Sequence, residues 1–270
     1  MIFCESGNVL ENRLLAPAHF KLTLRAPQIA PRVEAGQFIQ IRCTIEDDPL
    51  LPRPMSVYRA DGERMEILYE VVGRGTALLA EAKRGDALDI YGPLGRPFWK
   101  VPEAKKIFLI GGGIGLAPFY ALAEAFLKEK SEITVLFGTR TRSRVVCEDE
   151  FKKLGVGFEV STDDGSYGFR GRVTELLEKK LLGLPPKPPV ALYACGPNVM
   201  MREACRIALL HNMPCQVSLD EPMACGFGIC FGCAVKIRRQ ATSGKQQEGE
   251  FTYKLACKDG PVFEAREVLW

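Results

Sequence analysis

The chain has 270 residues, which is enough for two domains or for one large domain with an added segment. Its composition, 47% hydrophobic and 26% charged, is that of an ordinary globular protein, and a formal net charge of +3 does not favour nucleic acid as a partner. We expect no signal peptide, because an acid and polar residues of MIFCESGNVLENR stand where its apolar region should be. We also expect no membrane span, because glycines and a proline interrupt the longest apolar stretch, residues 107–123.

Residues 1–100 are predicted to form an antiparallel β-barrel or sandwich. Four segments rich in isoleucine, valine and tyrosine predict strands, at residues 38–43, 55–60, 65–72 and 86–92. Turn-forming segments such as ADGER and KRGD separate them at regular intervals, which is typical of these folds.

From Lys105 the pattern changes to strands that alternate with helices, which predicts a parallel α/β sheet within residues 101–219. The segments KKIFLIGGG, EITVLFG, FEVSTDD and ALYACG predict strands, and APFYALAEAFLKEK and residues 173–182 and 198–211 predict helices. Residues 220–270 predict a cysteine-bearing segment in which a polar loop, SGKQQEGE, joins two short strands.

LPRPMSVY and VVGRGTALL are candidate phosphate-binding segments of the first region. The guanidinium of Arg53 can bond two phosphate oxygens, and Ser56 can hydrogen-bond a ring nitrogen. In an ideal strand these two side chains point to opposite faces, unless Pro54 introduces a twist or bulge. Gly75 and Thr76 offer a second phosphate-binding turn. A solvated arginine and an ordinary hairpin explain the same segments.

Two strand-to-helix turns are candidate dinucleotide sites. LIGGGIGLAP carries Gly111, Gly112, Gly113 and Gly115, which would let phosphate oxygens approach the backbone at a helix N-terminus. Its spacing is not G-x-G-x-x-G and no acidic residue follows the second strand, so a plain tight turn is the alternative. ACGPNVM occupies an equivalent position, where Cys195 lies near the reactive end of a dinucleotide or is simply a buried thiol.

The cysteines carry the most specific pattern in the chain. Cys225, Cys230 and Cys233 have the C-x4-C-x2-C spacing of plant-type [2Fe–2S] ferredoxins, and Cys257 can supply the distant fourth ligand. Structural zinc usually takes two C-x2-C pairs, and only one is present, so the spacing favours an iron–sulfur cluster over zinc or unligated thiols. Ten cysteines without a signal peptide also favour a cytoplasmic protein over a disulfide framework.

In this order, RPMSVY, GRGT, GGGIGLAP, YACGP and the C-terminal cysteines resemble the ferredoxin-reductase superfamily over essentially the whole chain. More narrowly, the chain is similar to the electron-transfer subunits of bacterial NAD-dependent dihydroorotate dehydrogenases. The resemblance implies an α+β multidomain fold, with an FAD-binding antiparallel β-barrel at residues 1–100, a parallel α/β NAD-binding domain at 101–219 and a small [2Fe–2S] domain at 220–270.

The resemblance also implies the site residues. FAD would be bound by Arg53, Pro54, Met55, Ser56, Leu68, Tyr69, Glu70, Gly75 and Thr76. NAD would be bound by Gly111, Gly112, Gly113, Gly115, Pro118, Gly138, Cys195, Gly196 and Pro197. The cluster would be ligated by Cys225, Cys230, Cys233 and Cys257. No side chain is expected to act as acid or base, with Cys195 placed near the nicotinamide.

Arg140, Arg142 and Arg144 follow the second strand of the predicted NAD domain, where the 2′-phosphate of NADP would lie. NADP is therefore an alternative to NAD, unless these arginines are simply solvated.

The implied activity is electron transfer from a partner's flavin, where dihydroorotate is oxidised in pyrimidine biosynthesis, through the [2Fe–2S] cluster and FAD to NAD+. The implied partner is an FMN-containing catalytic subunit in a heterotetramer. One alternative is an FAD/[2Fe–2S] reductase subunit of another oxidoreductase, of the sulfide dehydrogenase or ferredoxin:NADP reductase type. In the bifurcating reductases an aspartate takes the first ligand position, so Cys225 favours the dihydroorotate type. A non-enzymatic redox-sensing or zinc-binding module is the other alternative.

Overall fold

The computed structural model describes residues 1–183, 189–239 and 251–270. They form a closed six-stranded barrel, a seven-stranded sheet with helices, and a two-stranded ribbon. The predicted antiparallel barrel and parallel α/β sheet are confirmed. The predicted SGKQQEGE loop lies outside the described residues.

The barrel contains six antiparallel strands in the order β1-β2-β5-β4-β3-β6. They are β1 (Phe3–Ala16), β2 (His19–Arg25), β3 (Phe38–Ile41), β4 (Arg53–Asp61), β5 (Arg64–Glu70) and β6 (Ala87–Leu94). The sequence predicts the last four. It misses β1 and β2 because polar residues occupy buried positions there, among them Glu5, Lys21 and Thr23. The Glu5 carboxylate accepts the backbone N–H of Ile29 at 2.7 Å, which satisfies its buried charge.

The seven-stranded sheet has the order β10-β9-β8-β7-β11-β12-β15, and all pairs except the last are parallel. The parallel strands are β7 (Lys106–Gly112), β8 (Glu132–Thr139), β9 (Gly157–Thr162), β10 (Phe169–Arg170), β11 (Val190–Cys195) and β12 (Cys215–Ser218). The helices of this region are α2 (Phe119–Leu127), α3 (Glu148–Leu154), α4 (Val173–Leu181) and α5 (Asn198–Leu210), and α1 (Arg74–Glu81) follows the barrel strand β5. The strand order reverses beside β7, which opens a crevice at the carboxyl ends of β7 and β11.

The C-terminal segment packs against both larger units. Its ribbon consists of β13 (Ala234–Arg238) and β14 (Phe251–Leu255), and β15 (Val262–Glu264) extends the seven-stranded sheet by pairing with β12. Val235 and Ile237 belong to the same buried cluster as Phe38 of the barrel and Val217 of the sheet. One continuous core therefore fixes the barrel, the sheet and the cysteine segment relative to each other.

A buried polar group joins the barrel to α3. The Lys21 ammonium, 6% exposed, forms an ion pair with Glu150, and the Tyr58 hydroxyl donates to the same carboxylate at 2.8 Å. Burial, with the nearby Cys147 and Glu150, raises the pKa of Tyr58, so its hydroxyl remains a donor. These bonds fix the barrel against the α/β unit at the side of the crevice.

Candidate functional site

A cavity of about 1420 Å³ lies between the barrel and the carboxyl ends of the parallel strands. Typical small-molecule pockets have about 300–1,000 Å³, so this one has room for more than one ligand. Most predicted cofactor residues line it, namely Arg53, Pro54, Met55, Ser56, Leu68, Tyr69, Glu70, Thr76, Gly112, Gly113, Gly115, Gly138, Cys195, Gly196 and Pro197. The predicted residues Gly75, Gly111 and Pro118 are not among the residues that line it.

On the barrel side, Arg53 and Ser56 both line the cavity, although in an ideal strand their side chains would point to opposite faces. Arg53 is the first residue of the strand, where it lies over the start of α1: a β-carbon on Gly75 would be 2.7 Å from Arg53 Nε. Glycine is thus required at this position for the guanidinium to pack there. A guanidinium beside a helix N-terminus concentrates positive potential, which fits a diphosphate.

The Thr76 hydroxyl stabilises the first turn of α1. Its Oγ1 accepts the N–H of Val72 at 2.9 Å and of Gly73 at 3.2 Å, and it donates to the Gly73 carbonyl at 3.0 Å. The side chain therefore shapes the turn from within.

On the sheet side, the turns that follow β7 and β11 pack backbone against backbone. A β-carbon on Gly115 would lie 2.2 Å from the Cys195 carbonyl oxygen, and one on Gly196 would lie 3.0 Å from Gly112 Cα. The sequence predicted that glycine is needed in this turn so that phosphate oxygens can approach the backbone. That explanation fits only Gly113, whose φ is +55° and where a β-carbon would meet nothing among the described residues within 4 Å. Gly112 and Gly115 are explained by the packing of the two turns, and Gly111 by close contact with Leu116 of its own turn.

Cys195 ends β11 at the wall of the cavity and is 6% exposed. Burial and the nearby charge of Asp220 raise its pKa to about 12, while a hydrogen bond with Ser218 acts in the opposite direction. The side chain is therefore a neutral thiol at physiological pH. Ser218 and Asp220 also line the cavity, after β12, and sequence reasoning missed them. The signal that could have found them is the carboxyl end of a parallel strand, had β12 been predicted.

The three arginines after β8 differ in their surroundings. Arg144 Nη1 is 2.9 Å from Glu70 Oε1, so an ion pair to the barrel neutralises its charge. The Arg142 guanidinium lies 5.3 Å from the centre of the Tyr167 ring, whereas Arg140 lines the cavity. His19 is 2% exposed and lines the same cavity.

The cysteine loop, residues 225–233, presents sulfur atoms to backbone N–H groups. Gly226 and Gly228 have φ of +82° and +86°, a region that favours glycine. Three N–H···S bonds result: from Ile229 to Cys225 at 3.4 Å, from Gly232 to Cys230 at 3.5 Å and from Cys257 to Cys233 at 3.4 Å. Donors aimed at sulfur stabilise anionic thiolates, which is the form that binds iron.

The four thiols fall into two neighbouring pairs, Cys225 with Cys230 and Cys233 with Cys257. Burial raises the pKa of Cys225, but backbone N–H groups of the loop outweigh it and bring the pKa to about 6. Burial and the adjacent Cys233 thiol raise that of Cys257 to about 12. Across residues 1–183, 189–239 and 251–270, no three metal-binding side chains converge on a single ion position.

Apolar side chains surround the outer side of the cysteine loop. Phe227, Ile229 and Phe231 are 41%, 73% and 68% exposed, whereas Cys233 and Cys257 are buried.

All ten cysteines of the chain lie in the described ranges as free thiols. In the described part of the chain, no helix is long and apolar enough to cross a membrane.

The barrel, the parallel sheet and the cavity between them define a ferredoxin-reductase-type oxidoreductase. A ferredoxin NADP+ reductase from Neisseria gonorrhoeae with bound FAD and NADP has the same fold, with a TM-score of 0.65 at 19% identity over 76% of this chain and 90% of that chain. An oxidoreductase NAD-binding domain matches residues 109–206, and the iron–sulfur cluster binding domain of dihydroorotate dehydrogenase B matches residues 220–269.

The chain belongs to the family of dihydroorotate dehydrogenase B (NAD(+)) electron transfer subunits. It is 36% identical to the subunit from Desulforamulus reducens over 98% of this chain and 97% of the relative, and 37% identical to that from Bacillus caldolyticus over all of both chains. A chain from an NADH-dependent reduced ferredoxin-NADP oxidoreductase structure is 29% identical, with a TM-score of 0.84 over 98% of this chain and 90% of that chain.

These relationships confirm the predicted class of enzyme and its cofactors. The chain is part of an NAD-dependent oxidoreductase, carries NAD-binding and iron–sulfur domains, and has the fold of reductases that bind FAD.

The two glycines of the first turn should respond differently to alanine. Gly115→Ala forces the two turns apart and should lower the free energy of unfolding by about 3 kcal/mol or more. Gly113→Ala adds only the strain of a positive φ, about 1 kcal/mol, and projects a methyl group into the cavity. Urea-induced unfolding of both variants measures the difference, and equal losses would contradict the turn-packing account.

The free energy of unfolding should fall as the pH rises above 9. The unfolded Cys195 thiol ionises near its ordinary pKa of 9.0, whereas the folded thiol keeps its proton up to about 12, so alkaline pH stabilises the unfolded state. The contribution of this thiol is about 1.4 kcal/mol between pH 8 and pH 10. Cys195→Ser and Cys195→Ala should both flatten the pH dependence by that amount; slopes equal to that of the wild type would refute the buried neutral thiol.

Proposed function

We propose that this chain takes electrons from a catalytic subunit that oxidises dihydroorotate and delivers them to NAD+. The observation that carries the proposal is a juxtaposition: the cysteine loop, with Cys257 beside it, packs against the same barrel that forms one wall of the cavity. The substrate is inferred from the names of its relatives, which are electron transfer subunits of dihydroorotate dehydrogenase B.

FAD fits the barrel side of the cavity. The diphosphate would be held by Arg53 and the first turn of α1, which Gly75 and Thr76 shape, and Ser56 and Tyr69 line the adjoining wall with Pro54, Met55, Leu68 and Glu70. When bound, FAD converts the two-electron hydride chemistry of nicotinamide into the one-electron chemistry of an iron–sulfur cluster.

NAD fits the sheet side of the cavity. Gly113 presents open backbone at the turn after β7, and Cys195, Gly196 and Pro197 form the opposite turn. A neutral Cys195 thiol adds no charge beside the nicotinamide. The names of the relatives specify NAD(+), which favours NAD over NADP. The Glu70 carboxylate neutralises Arg144, one of the two arginines after β8 that line the cavity.

The cysteine loop fits a [2Fe–2S] cluster with Cys225, Cys230, Cys233 and Cys257 as ligands. A cluster of two irons takes two thiolates on each iron, which suits the two cysteine pairs. Backbone N–H groups directed at the sulfur atoms of Cys225, Cys230 and Cys233 would stabilise the thiolates that ligate the cluster.

The partner is proposed to cover the outer side of this loop. Phe227, Ile229 and Phe231 would be buried against an FMN-containing catalytic subunit, two copies of each chain forming a heterotetramer. Burying them in an interface would remove exposed apolar area and bring the partner's flavin close to the cluster. The free state of all ten cysteines supports a cytoplasmic location.

Removal of one cysteine thiolate should abolish electron transfer through the cluster and leave the chemistry of the FAD and NAD sites intact. Cys225→Ala, coexpressed with the catalytic subunit and purified anaerobically, should lose the EPR signal of a reduced [2Fe–2S] cluster and lose dihydroorotate-dependent NAD+ reduction by roughly 100-fold or more. Its FAD absorbance and its oxidation of NADH by an artificial acceptor should remain, because the cavity is intact.

Cys4→Ala, which removes an exposed cysteine outside the loop, is the control and should behave as wild type. Retention of dihydroorotate-dependent activity in Cys225→Ala would contradict the proposal. A wild-type chain that contains zinc and no visible absorption would do so as well.

A further inference from the structure

Gln40 on β3 is fully buried, and within the described ranges neither its Nε2 nor its Oε1 has a hydrogen-bond partner. A buried amide without partners is destabilising, because the water it loses on burial is not replaced by another hydrogen-bond partner. The chain offers a direct comparison in Gln216, which is 1% exposed: its Oε1 accepts the Trp99 N–H at 3.0 Å and its Nε2 donates to the Trp99 carbonyl at 2.7 Å. The buried amide of Gln216 therefore has hydrogen-bond partners, whereas that of Gln40 has none among the described residues.

The Gln40 side chain points out of the barrel towards the cysteine loop. Side chains alternate along β3, and Ile39 and Ile41 belong to the barrel core. A β-carbon on Gly226 would be 2.7 Å from Gln40 Nε2 and 2.7 Å from its Cγ. The amide therefore packs against the backbone directly after Cys225.

Strand β3 contacts this loop at Gln40 and lines the cavity at Phe38. Gln40 is paired with Pro54 of β4, and Phe38 with Ser56. Among the residues described, Phe38 lines the cavity and Gln40 does not. The partner of the Gln40 amide is thus to be sought on the side of the cysteine loop.

We propose that the Gln40 amide donates a hydrogen bond to sulfur at the Cys225 end of the [2Fe–2S] cluster and thereby tunes its reduction potential. The inference rests on the proposed function in one respect, the assignment of Cys225 as a cluster ligand. A donor aimed at cluster sulfur stabilises the reduced cluster, because that state carries one more negative charge. Loss of the donor therefore lowers the reduction potential.

Gln40→Met tests the inference, because methionine has a similar volume and length and no N–H group. In the full chain, purified anaerobically with FAD and cluster, the cluster content should be unchanged. The equilibrium between reduced and oxidised cluster should shift about tenfold towards the oxidised form, which is ~59 mV for a one-electron couple. A redox titration followed by EPR measures the shift. Electron–nuclear double resonance in D2O should show the loss of one exchangeable deuteron coupled to the reduced cluster.

Gln216→Met is the matched control. It should lower the free energy of unfolding, because it leaves the Trp99 N–H unpaired and removes one of the two donors to the Trp99 carbonyl, and should leave the potential of the cluster unchanged. An unchanged potential and an unchanged deuteron signal in Gln40→Met would overturn the inference while the proposed function stands. A wild-type chain without any cluster signal would overturn both.

Should Gln40→Met fail to fold, the wild-type chain labelled with 15N in its glutamine amides provides the second measurement. Pulsed EPR of the reduced cluster should then detect a coupled 15N nucleus. Its absence would overturn the inference.

Discussion

The contact between the cysteine loop and barrel strand β3 is the one on which the rest of the arrangement depends. It is possible because Gly226 has no side chain and a positive φ, so the backbone after Cys225 lies directly on Gln40. The next strand, β4, carries Arg53 to Ser56 on the wall of the cavity. Two neighbouring strands thus carry the contact with the cysteine loop, at Gln40, and the candidate flavin site, at Arg53 to Ser56.

Charged contacts also fix the position of the barrel relative to the sheet. Lys21 and Tyr58 of the barrel meet Glu150 of α3, and Glu70 meets Arg144 at the mouth of the cavity. Partly buried ion pairs of this kind contribute less to stability than to a unique geometry, which is our hypothesis for their role here. A cavity for two dinucleotides needs that geometry, because its two walls belong to different units.

The sequence was sufficient where physical signals are local. Apolar runs predicted β7, β8 and α4 almost to the residue, and the cysteine spacing predicted the loop whose family model matches residues 220–269. The prediction failed where polar side chains are buried. Strands β1 and β2 were missed because Glu5 and Lys21 occupy buried positions there. The roles of Gly115 and Gly196 also depend on contacts between distant turns, which no local pattern contains. For the same reason, Ser218, Asp220 and Gln40 became candidates only when the strands were placed side by side.

The central claim is that one chain connects a nicotinamide site to an iron–sulfur site. The most direct measurement is an anaerobic titration of the isolated full chain with NADH, followed by visible absorption and EPR. We predict bleaching of the flavin band together with the appearance of a reduced [2Fe–2S] signal. Flavin reduction that leaves the cluster oxidised in the full chain, even with excess NADH, would contradict the account.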